Sequence, residues 1–309
     1  MSQASNQRIA YYNGEYLPEG EIRIPFRDRG FLYGDGVFDM TRTFDGEIFK
    51  IREHIERLYR SLKALRIDAG LTPEQMIEIS QEVLKRNVHF LDESSDYWVA
   101  QRISRGLAAV GDEGWEQDDA TIIVECLPLP LKARAAYYRD GLDLVLSPVR
   151  RTAPDVLTPR AKTLNYLNLI NANMAAQGQS DNGYTILLDV NGNLCEGLGA
   201  NIFLVTDGVC LTPREQFVLP GISRACAMEL AGNLGIEVVE KDLDLHDAYN
   251  ADEIFLTSTS LCIVPARSFC GASVGDGSLP GPITKKLTNA YVELVEFDFV
   301  AQYLRHLTG

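Results

Sequence analysis

The amino-acid sequence predicts a mixed α/β (α+β) protein with two domains. The chain has 309 residues, a length that suggests two domains or one large one. Segments of alternating apolar and polar residues lie between segments whose apolar residues recur every three or four positions, so strands and helices are both predicted. The stretch PLPLKAR, with two prolines, interrupts this pattern. We therefore predict a smaller N-terminal α+β domain over residues 1–127, a linker over 128–136 and a larger C-terminal domain over 137–309.

Strand and turn signals dominate the start of the chain, and two helices follow. IAYYNGEYLP and VFDMTRTFDGEIFK each place a turn-forming Asn-Gly or Asp-Gly pair between alternating segments. Apolar residues then recur at helical spacing in IREHIERLYRSLKALRID, and Thr72 precedes the next helical segment as a capping residue. In chain order we predict a hairpin turning at Asn13-Gly14, a strand pair turning at Asp45-Gly46, helices over 51–68 and 73–88, and strands over 97–105 and 120–127.

The second domain is predicted to combine a strand meander with three helices. RAKTLNYLNLINANMAAQGQ carries apolar residues at helical spacing, and its leucines, Ile170, Met174 and the alanines are expected to form a buried stripe. In chain order we predict a strand over 142–149, a helix over 165–179, a meander over 184–213 turning at Asn191-Gly192 and Asp207-Gly208, a helix over 221–235, a strand–turn–strand over 253–266, and a helix from Pro282 to about Leu307.

The composition excludes several classes of protein. The formal net charge of −14 argues against nucleic acid or an anionic membrane surface as partner. The six cysteines form no C-x-x-C pair and the four histidines have no metal-ligand spacing, so neither a disulfide framework nor a metal site is expected. No run approaches the roughly 18 apolar residues of a membrane span, and MSQASNQ lacks a signal pattern. We therefore expect a cytoplasmic protein.

Two charged residues stand in apolar surroundings. Lys162 is either an ordinary solvated charge at a helix start or an amine whose pKa the helix dipole and desolvation lower, as a Schiff-base lysine requires. Glu196, within LLDVNGNLCEGLGANIFLV, is either a surface charge at a strand end or a half-buried carboxylate that needs a cationic partner.

Three further segments are candidates for binding an anion. LPGISR leads directly into a helix, so the amides of Ile222 and Ser223 are available to a phosphate, unless the segment is a plain helix cap. TSTS, Thr257–Ser260, offers hydroxyls that ligate phosphate or carboxylate, or that simply form a turn. The Arg57 guanidinium suits a phosphate or else faces solvent. YGDGVFD lacks the third glycine of a dinucleotide fingerprint, so no such site is predicted.

The order of these motifs resembles that of the class IV pyridoxal-phosphate aminotransferases. The motifs are Arg57 on its helix, Lys162 in KTLNYLN, Glu196 in EGLGANIF, LPGISR and FLTSTSLCIVP, and RDRGFLYGDGVFDMTRTFDG is similar to the N-terminal signature of that family. The match spans about Arg27 to Pro265. The family includes branched-chain and D-amino acid aminotransferases, (R)-amine transaminases and aminodeoxychorismate lyases.

The resemblance implies a cofactor, a fold and a set of roles. It implies pyridoxal 5′-phosphate bound in the crevice between two domains (fold type IV) of a homodimer, with a loop of the partner subunit closing the site. Lys162 would form the Schiff base at the cofactor C4′ and shuttle the proton between the substrate Cα and C4′. The other implied contacts are Glu196 with the pyridine nitrogen, Tyr166 with the phenolic oxygen, Leu219 on the ring, and Arg57, the Ile222 and Ser223 amides, Ser258 and Thr259 with the phosphate.

The resemblance also implies substrate contacts. Tyr33, Phe38 and Arg42 match the Tyr, Phe and Arg of the branched-chain enzymes' YGxxVFEGxR, with Asp39 and Met40 in place of Glu-Gly. Arg102 matches the Arg of the branched-chain YxR strand, with Ala100 in place of its Tyr. Ser260 is assigned to the same substrate site. Arg42 and Arg102 are alternatives for the substrate carboxylate, and each is otherwise a structural salt bridge.

The expected activity is a transaminase that uses a small or medium amino-acid donor and a 2-oxo acid acceptor. The donor is either branched-chain-like or a D-amino acid, although Arg105-Gly106 is not followed by the Arg-x-His pair of the D-amino acid enzymes. The alternatives are an (R)-selective amine transaminase, an aminodeoxychorismate-type lyase, and a non-catalytic binding protein, against which Lys162 counts.

Overall fold

The computed structural model describes residues 7–92, 95–109, 119–176 and 178–307. The chain divides into two compact units, and neither is continuous in sequence. Unit 1 contains residues 1–129 and 161–165, and unit 2 contains residues 130–160 and 166–309. The mixture of helices and strands in both units confirms the predicted fold class.

Unit 1 is a six-stranded antiparallel sheet with two long helices packed on one face. The strands follow the order β2-β1-β6-β5-β3-β4. Their bounds are β1 Ile9–Tyr12, β2 Glu15–Pro18, β3 Gly36–Phe44, β4 Glu47–Ile48, β5 Tyr97–Ser104 and β6 Thr121–Pro128. The helices are α1 Arg29–Tyr33, α2 Ile51–Leu65 and α3 Pro73–Asn87.

Local sequence signals explain the start of the main elements of unit 1. Asn13 and Gly14 take positive φ angles of 46° and 101° and join β1 to β2, which confirms the predicted hairpin. Thr72 forms a capping box with Gln75 at the start of α3, as the sequence predicts for its cap. Alternate residues of β3 and β5, such as Val37, face the helices and are fully buried, which fixes the register.

Unit 2 is built around a nine-stranded sheet. The strands are β7 Leu142–Leu146, β8 Gly183–Leu188, β9 Leu194–Gly197, β10 Asn201–Thr206, β11 Val209–Thr212, β12 Val238–Glu240, β13 Glu253–Ser258, β14 Cys262–Phe269 and β15 Ala272–Ser273. The helices are α4 Leu131–Asp140, α5 Leu167–Ala176, α6 Ile222–Asn233, α7 Leu245–Tyr249, α8 Pro282–Val295 and α9 Phe299–Arg305.

The strands of unit 2 close on themselves. The order is β12-β11-β10-β13-β14-β7-β8-β9, and β9 also pairs with β10, so the strands from β10 round to β9 form a ring. Its interior is an apolar cluster that includes Leu144, Ile186, Ile202 and Leu256, all buried. The short strand β9 is therefore held on both sides, by β8 and by β10.

The structure corrects several boundaries. The predicted tail helix is two helices, α8 and α9, because Glu296 adopts a left-handed φ of 49° between them. The short helices α1 and α7 were not predicted. The predicted linker over 128–136 contains the end of β6 and the start of α4, and the two units meet in sequence between Leu129 and Pro130.

The predicted buried stripe on the helix after Lys162 is confirmed only in part, for Leu169, Ala172 and Ala176. Helix α5 covers Leu167–Ala176, shorter than the predicted 165–179, of which residue 177 lies outside the described residues. Leu169 is buried, but Leu167, Ile170 and Met174 are exposed. No helix in the part of the chain that the structure describes is long and apolar enough to cross a membrane.

Candidate active site

Lys162 lies in a short segment, Ala161–Asn165, that belongs to unit 1. Phe38 N donates a hydrogen bond to Lys162 O over 2.9 Å, and Val37 and Thr163 form an antiparallel bridge. The segment therefore extends the sheet beside the first residues of β3. The Lys162 Nζ lies 4.4 Å from the centre of the Phe38 ring. Backbone pairing with a buried strand thus fixes the position of the Lys162 Cα, from which the side chain extends.

The prediction that a helix dipole lowers the pKa of the Lys162 amine is wrong. Helix α5 begins at Leu167, five residues later in the chain, and the field of a helix terminus falls off within its first turn. Instead, Lys162 N donates to Ser61 Oγ over 3.0 Å, and Ser61 Oγ donates to Arg57 O over 3.0 Å. Helix α2 therefore positions the Lys162 backbone and the Arg57 backbone through one hydroxyl.

Arg57 is buried on α2 and is oriented by Asp39 of β3. Its Nε and Nη2 donate to Asp39 Oδ2 and Oδ1 over 2.8 and 2.7 Å. His54 Nδ1 lies 2.7 Å from Asp39 Oδ1. Burial raises the pKa of Asp39, but Arg57 and His54 outweigh burial and hold it well below its ordinary value. Asp39 is therefore a carboxylate at neutral pH, and it locks the guanidinium in one plane.

His54 completes this buried cluster as a neutral ring. Burial lowers the pKa of His54 below its ordinary value although Asp39 opposes the shift, and the charges of Arg57 and Lys162 lower it further. The sequence indicates Arg57 as a candidate site residue, but it does not indicate the roles of Asp39 and His54. The available signal was a charged residue at an inward position of an alternating strand, with His54 and Arg57 three residues apart on the facing helix.

The structure separates the two arginines that the sequence left as alternatives for a substrate carboxylate. Arg42 is fully buried, and its Nη2 lies 3.4 Å from Asp96 Oδ2, which supports the structural reading of this residue. Arg102 is partly exposed and forms an ion pair with Glu125 of β6. Tyr33, which was also predicted to contact the substrate, is exposed at the end of α1.

In unit 2, Glu196 is a buried carboxylate with two donors. Its Oε1 accepts from Arg151 Nε over 2.7 Å, and its Oε2 accepts from Leu219 N over 2.9 Å. Arg151 is the cationic partner that burial requires, and sequence reasoning did not identify it. A carboxylate offers about four acceptor positions, so Glu196 can still accept a further donor.

One row of the sheet places Glu196 beside the other predicted contacts of unit 2. Glu196 of β9 pairs with Asn201 of β10, and Asn201 pairs with Thr257 of β13. Asn201 Nδ2 donates to Leu219 O over 3.0 Å. A Cβ at Gly221 would lie only 2.2 Å from Asn201 Oδ1, so the start of α6 approaches this row very closely.

The start of α6 and the end of β13 carry polar groups suited to an anion. No side chain among the described residues caps α6, whose first residues include Ile222 and Ser223. Backbone amides at such a terminus attract phosphate. Thr257 Oγ1 is buried and has no hydrogen-bond partner within the described part of the chain. A buried hydroxyl in that state is available to a ligand or to a water molecule.

Three of the remaining predicted residues of unit 2, Ser258, Ser260 and Tyr166, contact other groups of the protein. Ser258 Oγ accepts from Leu261 N over 3.1 Å, and Ser260 Oγ accepts from Arg134. Thr259, between them, is half-buried in the turn that joins β13 to β14. Tyr166 is half-buried before α5 and packs against the small apolar cluster that contains Leu169.

The comparisons with known proteins identify the family. The family model described as "Amino-transferase class IV" matches residues 36–269, so the chain belongs to the class IV aminotransferases and is an enzyme. A Methanocaldococcus jannaschii protein named "Putative branched-chain-amino-acid aminotransferase" is 39% identical over 92% of this chain and 95% of its own length. The D-alanine aminotransferase of Staphylococcus haemolyticus is 28% identical over 93% of this chain and 97% of its own.

Solved structures agree with the family assignment. The branched-chain amino acid aminotransferase of Escherichia coli superposes with a TM-score of 0.86 at 31% identity and covers 95% of this chain and 97% of its own. A second branched-chain amino acid aminotransferase, solved in complex with N-(5′-phosphopyridoxyl)-L-glutamate, superposes with a TM-score of 0.82 at 28% identity over 93% of both chains. The resemblance that the sequence motifs suggested is confirmed.

Proposed function

We propose that the chain is a pyridoxal-phosphate transaminase that moves an amino group from an amino acid or primary amine to a 2-oxo acid, with Lys162 as its reactive amine. The observation that carries the proposal is the placement of Lys162. Its segment is tied by backbone bonds to β3 and by Ser61 to α2, while its Nζ lies over the Phe38 ring. An amine held in this way differs from a solvated surface lysine.

The polar groups of unit 2 fit the cofactor. The uncapped start of α6, the partnerless Thr257 hydroxyl and the absence of room for a Cβ at Gly221 suit a phosphate that approaches the backbone closely. Ile222, Ser223, Ser258, Thr259 and Arg57 would hold that phosphate. When bound, pyridoxal phosphate supplies an aldehyde that captures amines and an electron-poor ring that accepts electrons from the substrate Cα.

Glu196 would set the electronic state of the ring. Its carboxylate would accept a hydrogen bond from the pyridine N–H and so keep that nitrogen protonated. Arg151 and the Leu219 amide hold the carboxylate in a fixed orientation, which favours a charged partner at this position. Tyr166 would donate to the phenolic oxygen, and Leu219 would pack on the ring.

Lys162 would act as the acid and base of the reaction. The amine of Lys162 would take the proton from the substrate Cα and deliver it to the cofactor C4′, so one residue would serve both proton transfers. Phe38 covers one side of this amine. An apolar ring at this position excludes water, which strengthens the electrostatic interactions of the amine with its reaction partners.

The donor is proposed to be an amino acid of the branched-chain or D-amino acid type. The names of the relatives support both, and Arg102 is the better placed of the two candidate arginines because Arg42 is enclosed. An (R)-selective amine transaminase and an aminodeoxychorismate-type lyase remain alternatives. A lyase is expected to release pyruvate without accumulating the bleached amine form of the cofactor.

We also propose that the enzyme is a homodimer. In unit 1, Phe26 and Phe31 are 70% and 73% exposed, and in unit 2, Leu167, Ile170 and Met174 are 67%, 46% and 63% exposed. Clusters of exposed, large apolar side chains mark sites at which another protein binds. Sedimentation equilibrium tests this proposal. The cytoplasmic location stays a prediction of the sequence.

The decisive experiment concerns Lys162. Wild-type holoenzyme is expected to be yellow, to bleach with a suitable donor, and to carry the reduced cofactor on Lys162 after borohydride treatment and peptide mass mapping. Lys162→Ala is expected to lose turnover by orders of magnitude while it keeps its fold, whereas Lys63→Ala, an exposed lysine on α2, is the matched control. Unchanged turnover in Lys162→Ala would refute the proposal.

Both enantiomers of several amino acids and of 1-phenylethylamine, with pyruvate and 2-oxoglutarate as acceptors, then define the donor. A protein that releases pyruvate from one substrate without bleaching would favour the lyase. A protein that bleaches only with the (R)-amine would favour the amine transaminase.

A further inference from the structure

A row of side chains crosses unit 1 from Lys162 to Arg102. Phe38 of β3 is bonded to Lys162 on one side and pairs in register with Arg102 of β5 on the other. Neighbouring strands lie about 4.8 Å apart. Lys162 and Arg102 lie on opposite sides of β3, so their backbones are about 10 Å apart. Paired residues project from the same face of a sheet. The side chains of Lys162 and Arg102 therefore project from the same face of the sheet.

Glu125 of β6 lies on that face and reaches the same guanidinium. It pairs in register with Ala100, two residues before Arg102, so it is a diagonal neighbour of Arg102. The two side chains form an ion pair, with exposed fractions of 34% for Arg102 and 17% for Glu125. Ala100, which is 0% exposed, has a one-carbon side chain that is small enough for this carboxylate to lean toward Arg102.

We propose that Glu125 is a specificity-determining residue, an internal anion that occupies Arg102 and that a substrate carboxylate must displace. This inference rests on the proposed function and deepens it. The ion pair is electrically neutral as it stands, so a donor without a carboxylate meets no net charge there. A carboxylate that binds Arg102 while Glu125 stays in place meets a like charge at close range, which is unfavourable.

Two observations support competition at Arg102. Burial raises the pKa of Glu125 although Arg102 opposes the shift, so this carboxylate has lost part of its hydration and depends on Arg102. The nearby Arg8 is already bonded to Glu19 over 3.0 Å, so Arg102 is the partner that Glu125 contacts directly. Because Glu125 is covalently part of the chain, it competes at a high effective concentration.

The test compares carboxylate binding in the wild-type holoenzyme and in Glu125→Gln. Propionate, which carries a carboxylate but no amine, is titrated and its Kd is read from the absorption of the bound cofactor. Glu125→Gln is expected to bind propionate about 2- to 5-fold more tightly, as loss of a partly exposed ion-pair competitor implies.

Two controls isolate the role of Arg102. Glu82→Gln removes a comparable ion pair, Glu82 with Arg86 on α3 at 2.8 Å, and should leave propionate binding unchanged. In an Arg102→Leu background, Glu125→Gln should give no further gain. An equal propionate Kd in wild type and Glu125→Gln, or an equal gain in Glu82→Gln, would overturn the inference.

Failure of the proposed function gives a different result. If no donor bleaches the wild-type cofactor but Glu125→Gln still binds propionate more tightly, the transaminase proposal fails and the carboxylate competition stands. If donors bleach the cofactor and the propionate Kd is the same in both proteins, only the inference about Glu125 fails.

Discussion

Replacing Arg42 by methionine is expected to lower the free energy of unfolding by about 3 kcal/mol. Arg42 and Asp96 are both 0% exposed, and Arg42 Nη2 lies 3.4 Å from Asp96 Oδ2. Removing one member of a buried ion pair typically costs about 3–5 kcal/mol because the other charge stays buried. Thr43 Oγ1 and Gly46 N still donate to Asp96 in this variant. The loss is therefore placed at the lower end of the range.

Urea unfolding at pH 7 measures this loss, with Arg102→Met as the matched control. The Arg102–Glu125 pair is partly exposed, so its removal should cost no more than about 1 kcal/mol. The double variant Arg42→Met/Asp96→Asn should recover much of the loss, because the amide keeps an acceptor oxygen and removes the buried charge.

The opposite pattern would refute this reasoning. If Arg42→Met unfolds like the wild type but shows a raised KM for amino-acid donors, the guanidinium of Arg42 reaches the substrate. The structural assignment of the pair with Asp96 would then be wrong.

Two further predictions concern the cofactor side of the site. Asp39→Asn should destabilise the protein at pH 7, and the difference from wild type should shrink as the pH falls below about 4: a carboxyl whose pKa is depressed in the folded state stabilises the fold above its ordinary pKa and loses that contribution as it is protonated. Urea unfolding across this pH range checks it, and a constant difference would contradict it. Gly221→Ala should weaken pyridoxal phosphate binding about tenfold, or about 1.4 kcal/mol, because its Cβ would lie 2.2 Å from Asn201 Oδ1. Equilibrium dialysis measures this, and Gly232→Ala, on the same helix with open space around it, should bind normally.

The sequence predicts the elements whose signals are local. The hairpin at Asn13-Gly14, the cap at Thr72 and the start of α6 after Gly221 are all confirmed, because each depends on a few adjacent residues. The family resemblance is confirmed for a similar reason, since its motifs are short and occur in a fixed order.

The features that were missed depend on residues far apart in the chain. Arg42 meets Asp96 across 54 positions, and Glu196 meets Arg151 across 45. Periodicity in one strand cannot reveal a partner on another. The exposure of Ile170 and Met174 was not predicted for a related reason. An apolar stripe predicts that a helix face is buried, but it does not show that residues of the same chain cover that face.

The segment Ala161–Asn165 has a consequence for any attempt to divide this enzyme. It packs with residues that precede position 130, although the chain on either side of it belongs to the other unit. No single cut can separate the two units and leave Lys162 attached to the sheet that holds it. During synthesis, residue 162 leaves the ribosome only after residues 130–160 of the second unit, so the first unit cannot be completed until that segment has also left the tunnel.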